Sequence, residues 1–364
     1  MIEVADIFRL HWAEYQQQHP ITPTQRKAVE DLLRCRTPAL GGELWQCDSC
    51  GALRYSYHSC KNRSCPKCHG QQTRAWLEQA QQRLLPCGYY LLTFTLPAPC
   101  RALARSHPKL IYSLLLSSAA AALQKLAWDP AYVGARLGML AVLHTWTRAL
   151  LYHPHVHLLV SAGGLAKDGQ SWVTPKNPAF LVPGFALSKI FRGKFRAGLR
   201  KLHLLHKLPA ELWNQNWVVH CRHAGSGAKA LDYLARYMFR TAIANSRLER
   251  FQDGQVTFRY RDSRTQEVKQ ATLSAEEFIG RFLQHVLPKG FVKARAYGFW
   301  SPHSRKSLEQ ARALLKPTAP QSPCRPALPT PEPDSAPAPR PCPYCHRGQL
   351  HLIELLLPQH PRPP

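Results

Sequence analysis

Tyr152-His153-Pro154-His155-Val156-His157-Leu158-Leu159-Val160 alternates imidazoles with aliphatic side chains through its middle. Successive side chains of a strand point to opposite faces, so His155 and His157 share one face while Val156, Leu158 and Val160 share the other. The aliphatic face has the composition of a core surface. The two imidazoles leave the opposite side together and can chelate a divalent ion, although two histidines on one strand are by themselves a weak signal.

Outward from this strand, Tyr89 to Leu96 is an aromatic and β-branched run closed by Pro97 and predicts a buried strand. An apolar helix is expected from Pro108 to about Trp128, and a second helix, or a strand followed by a helix, from Leu137 towards Tyr152. The histidine strand is expected to end at Gly163-Gly164, with Asp168-Gly169 turning a hairpin into Ser171-Trp172-Val173. Helices over Leu187–Leu205 and Ala228–Ala244 follow, then a strand pair, Val256–Tyr260 and Val268–Thr272. Ser274-Ala-Glu-Glu277 has the spacing of a helix-capping box. The fold class is α+β.

The helix starting near Lys229 places Leu231, Leu234, Ala235, Met238 and Ala242 on one side. Its other side carries Lys229, Tyr233, Arg236, Tyr237 and Arg240. Tyr233 and Tyr237 are four apart and share a face with cations. A phenol is a poor nucleophile at neutral pH unless cations or a metal stabilise the phenolate, and those neighbours can do so. Surface tyrosines that stack on bases are the plainer reading of the same pattern.

Lys and Arg total 48 against 22 Asp and Glu, a formal charge of +26, which suits a polyanionic partner. A content of 45% hydrophobic residues with 9 Trp excludes a purely basic tail and fits an enzyme-sized body. Glu3 and Asp6 near Met1 do not make a signal peptide, and the uncharged run Leu110–Gln124 is expected to fall short of a membrane span. A cytoplasmic protein is expected, and its 12 cysteines then point to metal more than to disulfides.

Cys47-Asp-Ser-Cys50 and Cys65-Pro-Lys-Cys68 are two CxxC knuckles, each able to offer two thiolates to one zinc ion, with Cys60, His58 and His69 inside or beside the cluster. Arg63 and Lys67 among them suit a face turned to DNA. Four segments are expected: a zinc-binding recognition domain over 1–86, a catalytic domain over 87–316, a disordered linker over 317–341, where 10 of 25 residues are proline, and a tail over 342–364. The tail's Cys342-Pro-Tyr-Cys345 is half a second zinc site. His346, His351, Cys324 or another part of the chain is needed to complete it.

Taken together, several motifs resemble the insertion-sequence-91 type of rolling-circle transposases, members of the HUH single-strand nuclease superfamily. They are Tyr57-His-Ser-Cys-Lys-Asn-Arg-Ser-Cys-Pro-Lys-Cys68, Leu92-Thr-Phe-Thr-Leu-Pro97, Val142-Leu-His-Thr-Trp146, His153-Pro-His-Val-His157 with Gly163-Gly164-Leu165, and Tyr233-Leu-Ala-Arg-Tyr237. Ala242 to Arg247, His285 to Phe291 and Tyr297-Gly-Phe299 extend the likeness, whereas Phe239 and Trp300-Ser-Pro depart from the family's usual residues.

The resemblance implies a central antiparallel sheet with flanking helices, preceded by a small zinc domain. It implies that His155 and His157 hold Mg²⁺ or Mn²⁺ and that Tyr233 and Tyr237 are the nucleophile candidates, passing through a 5′-phosphotyrosine. The implied partner is single-stranded or hairpin DNA at element ends in a bacterial nucleoid, with no membrane and no nucleotide cofactor. Competing readings are a zinc-dependent DNA-binding regulator without nuclease activity and a replication initiator or relaxase of the same superfamily.

Overall fold

The computed structural model describes residues 2–68, 70–177, 180–239, 241–262, 265–315 and 340–359. The side chains of 70–73, of Tyr233 and of 235–239 lie outside the description. So do His69, Arg240, Cys324 and all but the last two residues of the expected linker. The chain divides into two units, one made of Val4–Cys68 with Pro317–Pro364, the other of His69–Lys316 with the first residues.

The first unit opens with α1 (Val4–Gln18) and α2 (Pro23–Arg34). Thr22 starts α2 because its hydroxyl accepts from the Gln25 backbone N–H while the Gln25 side chain accepts from the Thr22 N–H, with Pro23 next in line. Strands β1 (Gly42–Cys47) and β2 (Leu53–Tyr57) follow. The expected separate tail is corrected here: chain-terminal strands β12 (Arg340–Pro341) and β13 (Gln349–Leu356) complete the same sheet, in the order β12-β13-β1-β2. β13 runs antiparallel to β1, with Cys47 opposite Leu350 and Gly42 opposite Leu356.

The second unit runs α3 (Gly70–Gln81), β3 (Gly88–Thr95), α4 (Cys100–Ser106), α5 (Pro108–Ala127), β4 (Arg136–Trp146), β5 (Tyr152–Leu165), β6 (Trp172–Val173), α6 (Gly184–Lys201), β7 (Val219–Ser226) and α7 (Gly227–Phe239). It continues with β8 (Leu248–Gln252), β9 (Gln255–Arg261), β10 (Val268–Ser274), α8 (Ala275–Leu283), β11 (Ala294–Gly298) and α9 (Arg305–Leu314). α3 packs against α7, so the segment expected to close the zinc domain at 86 belongs to the larger unit from His69 onward. The main sheet is antiparallel, ordered β11-β4-β5-β3-β7, with β6 beside β5. Strands β8 to β10 form a smaller sheet carrying α8, which starts at Ser274, whose side chain accepts from the Glu277 N–H at 3.1 Å.

One face of the main sheet buries Leu92, Phe94, Ala141, Leu143, Val156, Leu158 and Val160 against α5 and α6. Leu115, Leu116 and Leu123 of α5 are fully buried there. α5 is long and apolar enough to cross a membrane by length and composition, contrary to expectation, and its apolarity is spent on this core. The opposite face buries Leu91, Val142 and Leu159 with Ala230, Leu231 and Leu234 of α7 and with Trp76 and Leu77 of α3.

The segment from Leu137, expected to be helical at least in part, is strand β4. With core on both faces its sequence loses the period of two that marks a half-exposed strand. Nor does β5 stop at Gly163-Gly164. The register slips between Leu137 and Met139, Gly163 takes φ +123°, and the Ser161 hydroxyl accepts from the Gly138 N–H and donates to the Gly163 carbonyl. The glycines make a bulge through which the strand continues.

Candidate metal centres

The β5 register sets the histidine face. His157 lies between Thr93 of β3 and Val142 of β4, and His155 lies between Thr95 and His144. As the alternation of a strand requires, His155 and His157 share the face of Leu159, and Val156, Leu158 and Val160 are in the core on the other side. Register adds a third imidazole. Donor nitrogens of His144, His155 and His157 all lie within 4.8 Å of one another, and His144 Nδ1 is 3.2 Å from His155 Nε2.

Neighbouring groups hold the rings. His155 Nδ1–H donates to the His153 carbonyl at 2.6 Å, which leaves Nε2 as a lone-pair donor. His157 Nδ1 is 3.0 Å from the Thr93 hydroxyl, and in the tautomer that frees Nε2 for an ion the ring donates that hydrogen bond. Burial pushes His155 down to about 4 and His157 down to about 3, and it holds His144 well below the ordinary histidine range. All three are therefore neutral near pH 7, the form that ligates a metal.

This donor set fits a divalent ion that keeps open positions for other ligands. Three imidazoles without a carboxylate suit Mg²⁺ less well than a softer ion. Cations surround the face: Arg222 of β7 and Lys293 lower His157 and His144 by their charge, and Arg101 bonds His153 Nδ1 at 2.9 Å.

α7 lies on this same face, since Leu231 and Leu234 share a cluster with Leu91, Val142 and Leu159. Positions 233 and 237 are one helical turn apart on α7. Lys229 is exposed at the start of the helix, while the Arg236 side chain and Arg240 lie outside the described residues.

The twin-knuckle reading of the cysteines is corrected by the fold. Cys65 and Cys68 gather with Cys35 and Cys60, whereas Cys47 and Cys50 gather with Cys342 and Cys345. In the first group Cys68 Sγ is 3.5 Å from Cys35 Sγ and 3.6 Å from Cys60 Sγ. A tetrahedral zinc with Zn–S bonds of about 2.3 Å spaces its sulfurs about 3.8 Å apart, whereas a disulfide needs about 2.0 Å. The spacing fits zinc. Arg63 is exposed beside this group and Lys67 is half-buried.

Sequence reasoning missed Cys35, His144, Arg222, Lys293 and Arg101. Cys35 caps α2 and has no partner at knuckle spacing. His144 stands alone in an apolar run, and only strand pairing brings it to His155.

Two family models match the chain: "Transposase zinc-binding domain" over residues 7–96 and "Putative transposase" over residues 138–308. The chain is 38% identical to the "Putative transposase y4qJ" of Sinorhizobium fredii, across 97% of this chain and 95% of that one. It is 31% identical to the "Transposase for insertion sequence element IS801" of Pseudomonas savastanoi pv. phaseolicola, across 79% of this chain and 73% of that one. No solved structure matches.

Proposed function

The chain belongs to the insertion-sequence-91 family of transposases with an N-terminal zinc-binding domain, and from that premise we propose that it cuts and rejoins single-stranded DNA through a tyrosine of α7. The supporting observation is that α7 crosses the sheet face that carries three neutral, clustered imidazoles. His144, His155 and His157 would hold the ion, with Mn²⁺ the better match of the two expected ions for an all-imidazole set. When bound, it would act as a Lewis acid on the scissile phosphate.

The oxygen of Tyr233 or Tyr237, as phenolate, attacks phosphorus. A phosphotyrosine ester forms at the 5′ end exposed by the break, the bond from phosphorus to the 3′ oxygen opens, and that oxygen takes a proton from water to leave as a 3′-hydroxyl, the phenol's own proton having gone to solvent. One phosphoester replaces another, so the reverse attack by a 3′-hydroxyl rejoins a strand without ATP. Arg222, Lys293 and Arg101 draw the strand's phosphates to the face. The first thiolate cluster holds structural zinc, and its exposed Arg63 and half-buried Lys67 bind DNA; on the sheet unit, Lys229, Arg236 and Arg240 do so as well.

The test is a denaturing gel of the purified chain incubated with labelled single-stranded element ends and Mn²⁺. A covalent protein–DNA adduct is expected, lost when Tyr233 and Tyr237 are both changed to Phe while DNA binding survives. DNA binding with no adduct in the unaltered chain would favour the regulator reading instead.

A further inference from the structure

We propose that a second zinc ion clasps the two ends of the chain, held by Cys47 and Cys50 after β1 and by Cys342 and Cys345 before β13. The inference rests on the chemistry of the thiolates and not on the strand-cutting reading. All four sulfurs lie within 4.8 Å of one another, with Cys47 to Cys345 at 3.7 Å and Cys50 to Cys342 at 3.8 Å. These are edges of a tetrahedral zinc–thiolate site and are far too long for disulfides.

The backbone around the sulfurs is built for anionic thiolates. Tyr344 N–H donates to Cys342 Sγ and Gly348 N–H donates to Cys345 Sγ, each at 3.4 Å. Both halves fold as tight turns, closed by Gly51 N–H to the Cys47 carbonyl at 3.0 Å and by His346 N–H to the Cys342 carbonyl at 3.1 Å. The halves are locked to each other: Asp48 accepts from the Gln349 N–H at 2.9 Å, and Asp48 N–H donates to the Gln349 carbonyl at 3.1 Å. A Cβ at Gly348 would sit 2.6 Å from Cys47 Sγ and 2.4 Å from Asp48 Oδ1, so only glycine lets the turns close.

Among the described residues the other completions open to the tail fall away; Cys324 lies outside them. His351 is engaged by Asp48 at 3.1 Å, and His346 is not in the cluster. The family's zinc-binding domain ends at residue 96, so half of this ligand set lies outside it. Cys50 and Cys342 are 292 positions apart, and such a clip removes much of the freedom of the unfolded chain. By sequence the sheet unit is thus an insertion between two halves of the zinc unit, and the ion fastens both ends of that insertion to one module.

Zinc per chain, measured by inductively coupled plasma mass spectrometry on the full-length protein, tests the proposal. Two ions are expected in the unaltered chain and in the variant with His155→Ala and His157→Ala. One is expected in the variant with Cys342→Ser and Cys345→Ser. One ion in the unaltered chain, or two in the Cys342/Cys345 variant, would overturn the clasp. The unaltered chain, stripped and titrated with Co²⁺, checks this without any variant: thiolate-to-cobalt absorption is expected to saturate at two equivalents, and saturation at one contradicts the proposal.

Discussion

Beside the second thiolate cluster the buried apolar group among the described residues is Trp45, Cys47, Cys342 and Leu350, whereas the strand bearing His155 and His157 backs onto a continuous core shared with α5 and α6. In the first region the cysteines stand where a core would be, so an ion there is part of the fold. In the second the apolar side of β5 is satisfied without any ion, and the histidines are mounted on a structure already made. On the two proposals above, metal would hold one region together, and the other region would hold the metal.

The contrast is broken or sharpened by perturbing each region and reading stability. The largest effect is expected from Cys47→Ser with Cys50→Ser, because structural zinc in small domains supplies on the order of 10 kcal/mol of apparent binding energy. Limited proteolysis should then open β1, β2 and β13 while the sheet unit stays resistant. Resistance in both units would break the comparison.

An intermediate effect is expected from acid. His285 is buried against Thr145 and Leu150, and burial pushes it down to about 4. The unfolded chain binds that proton at ordinary histidine pKa and the folded chain refuses it, so stability falls as pH drops from about 6.5 to about 4 and is level above that window. Within the loss that chemical denaturation records in the sheet unit across this range, to which His144, His155 and His157 also contribute, His285 should account for up to about 3 kcal/mol, a share absent in His285→Gln. An equal slope in the variant would remove His285 as its cause.

The smallest stability effect belongs to His155→Ala with His157→Ala, expected to stay within about 2 kcal/mol because the aliphatic side of β5 is untouched. Strand cleavage should nevertheless fall at least about a hundredfold, since a Lewis acid contributes several kcal/mol to such a step. Loss of melting cooperativity together with cleavage would make the imidazoles structural.

What the sequence disclosed follows the same division. β5, β3 and α5 were legible because each is a local pattern, and the HxH pair needed only the period of a strand. The Asp168-Gly169 turn was legible too, with Gly169 at φ +72° and β6 returning to β5. β4 was misread because a strand buried on both faces has no alternation, and His144 was lost with it. The cysteine partners were beyond local reading: Cys35 meets Cys68 across 33 positions and Cys47 meets Cys345 across 298, and no spacing rule spans such loops. β13, too, has its partner at the other end of the chain.

In the proposed reaction, imidazoles of β5 and a phenol of α7 act on one phosphate. Trypsin separates the two phenols, releasing 230–236 with Tyr233 and 237–240 with Tyr237. Mass spectrometry of the nuclease-trimmed protein–DNA adduct should find the nucleotide mass on one or both of those peptides; its presence on a peptide from anywhere else in the chain would contradict this reaction.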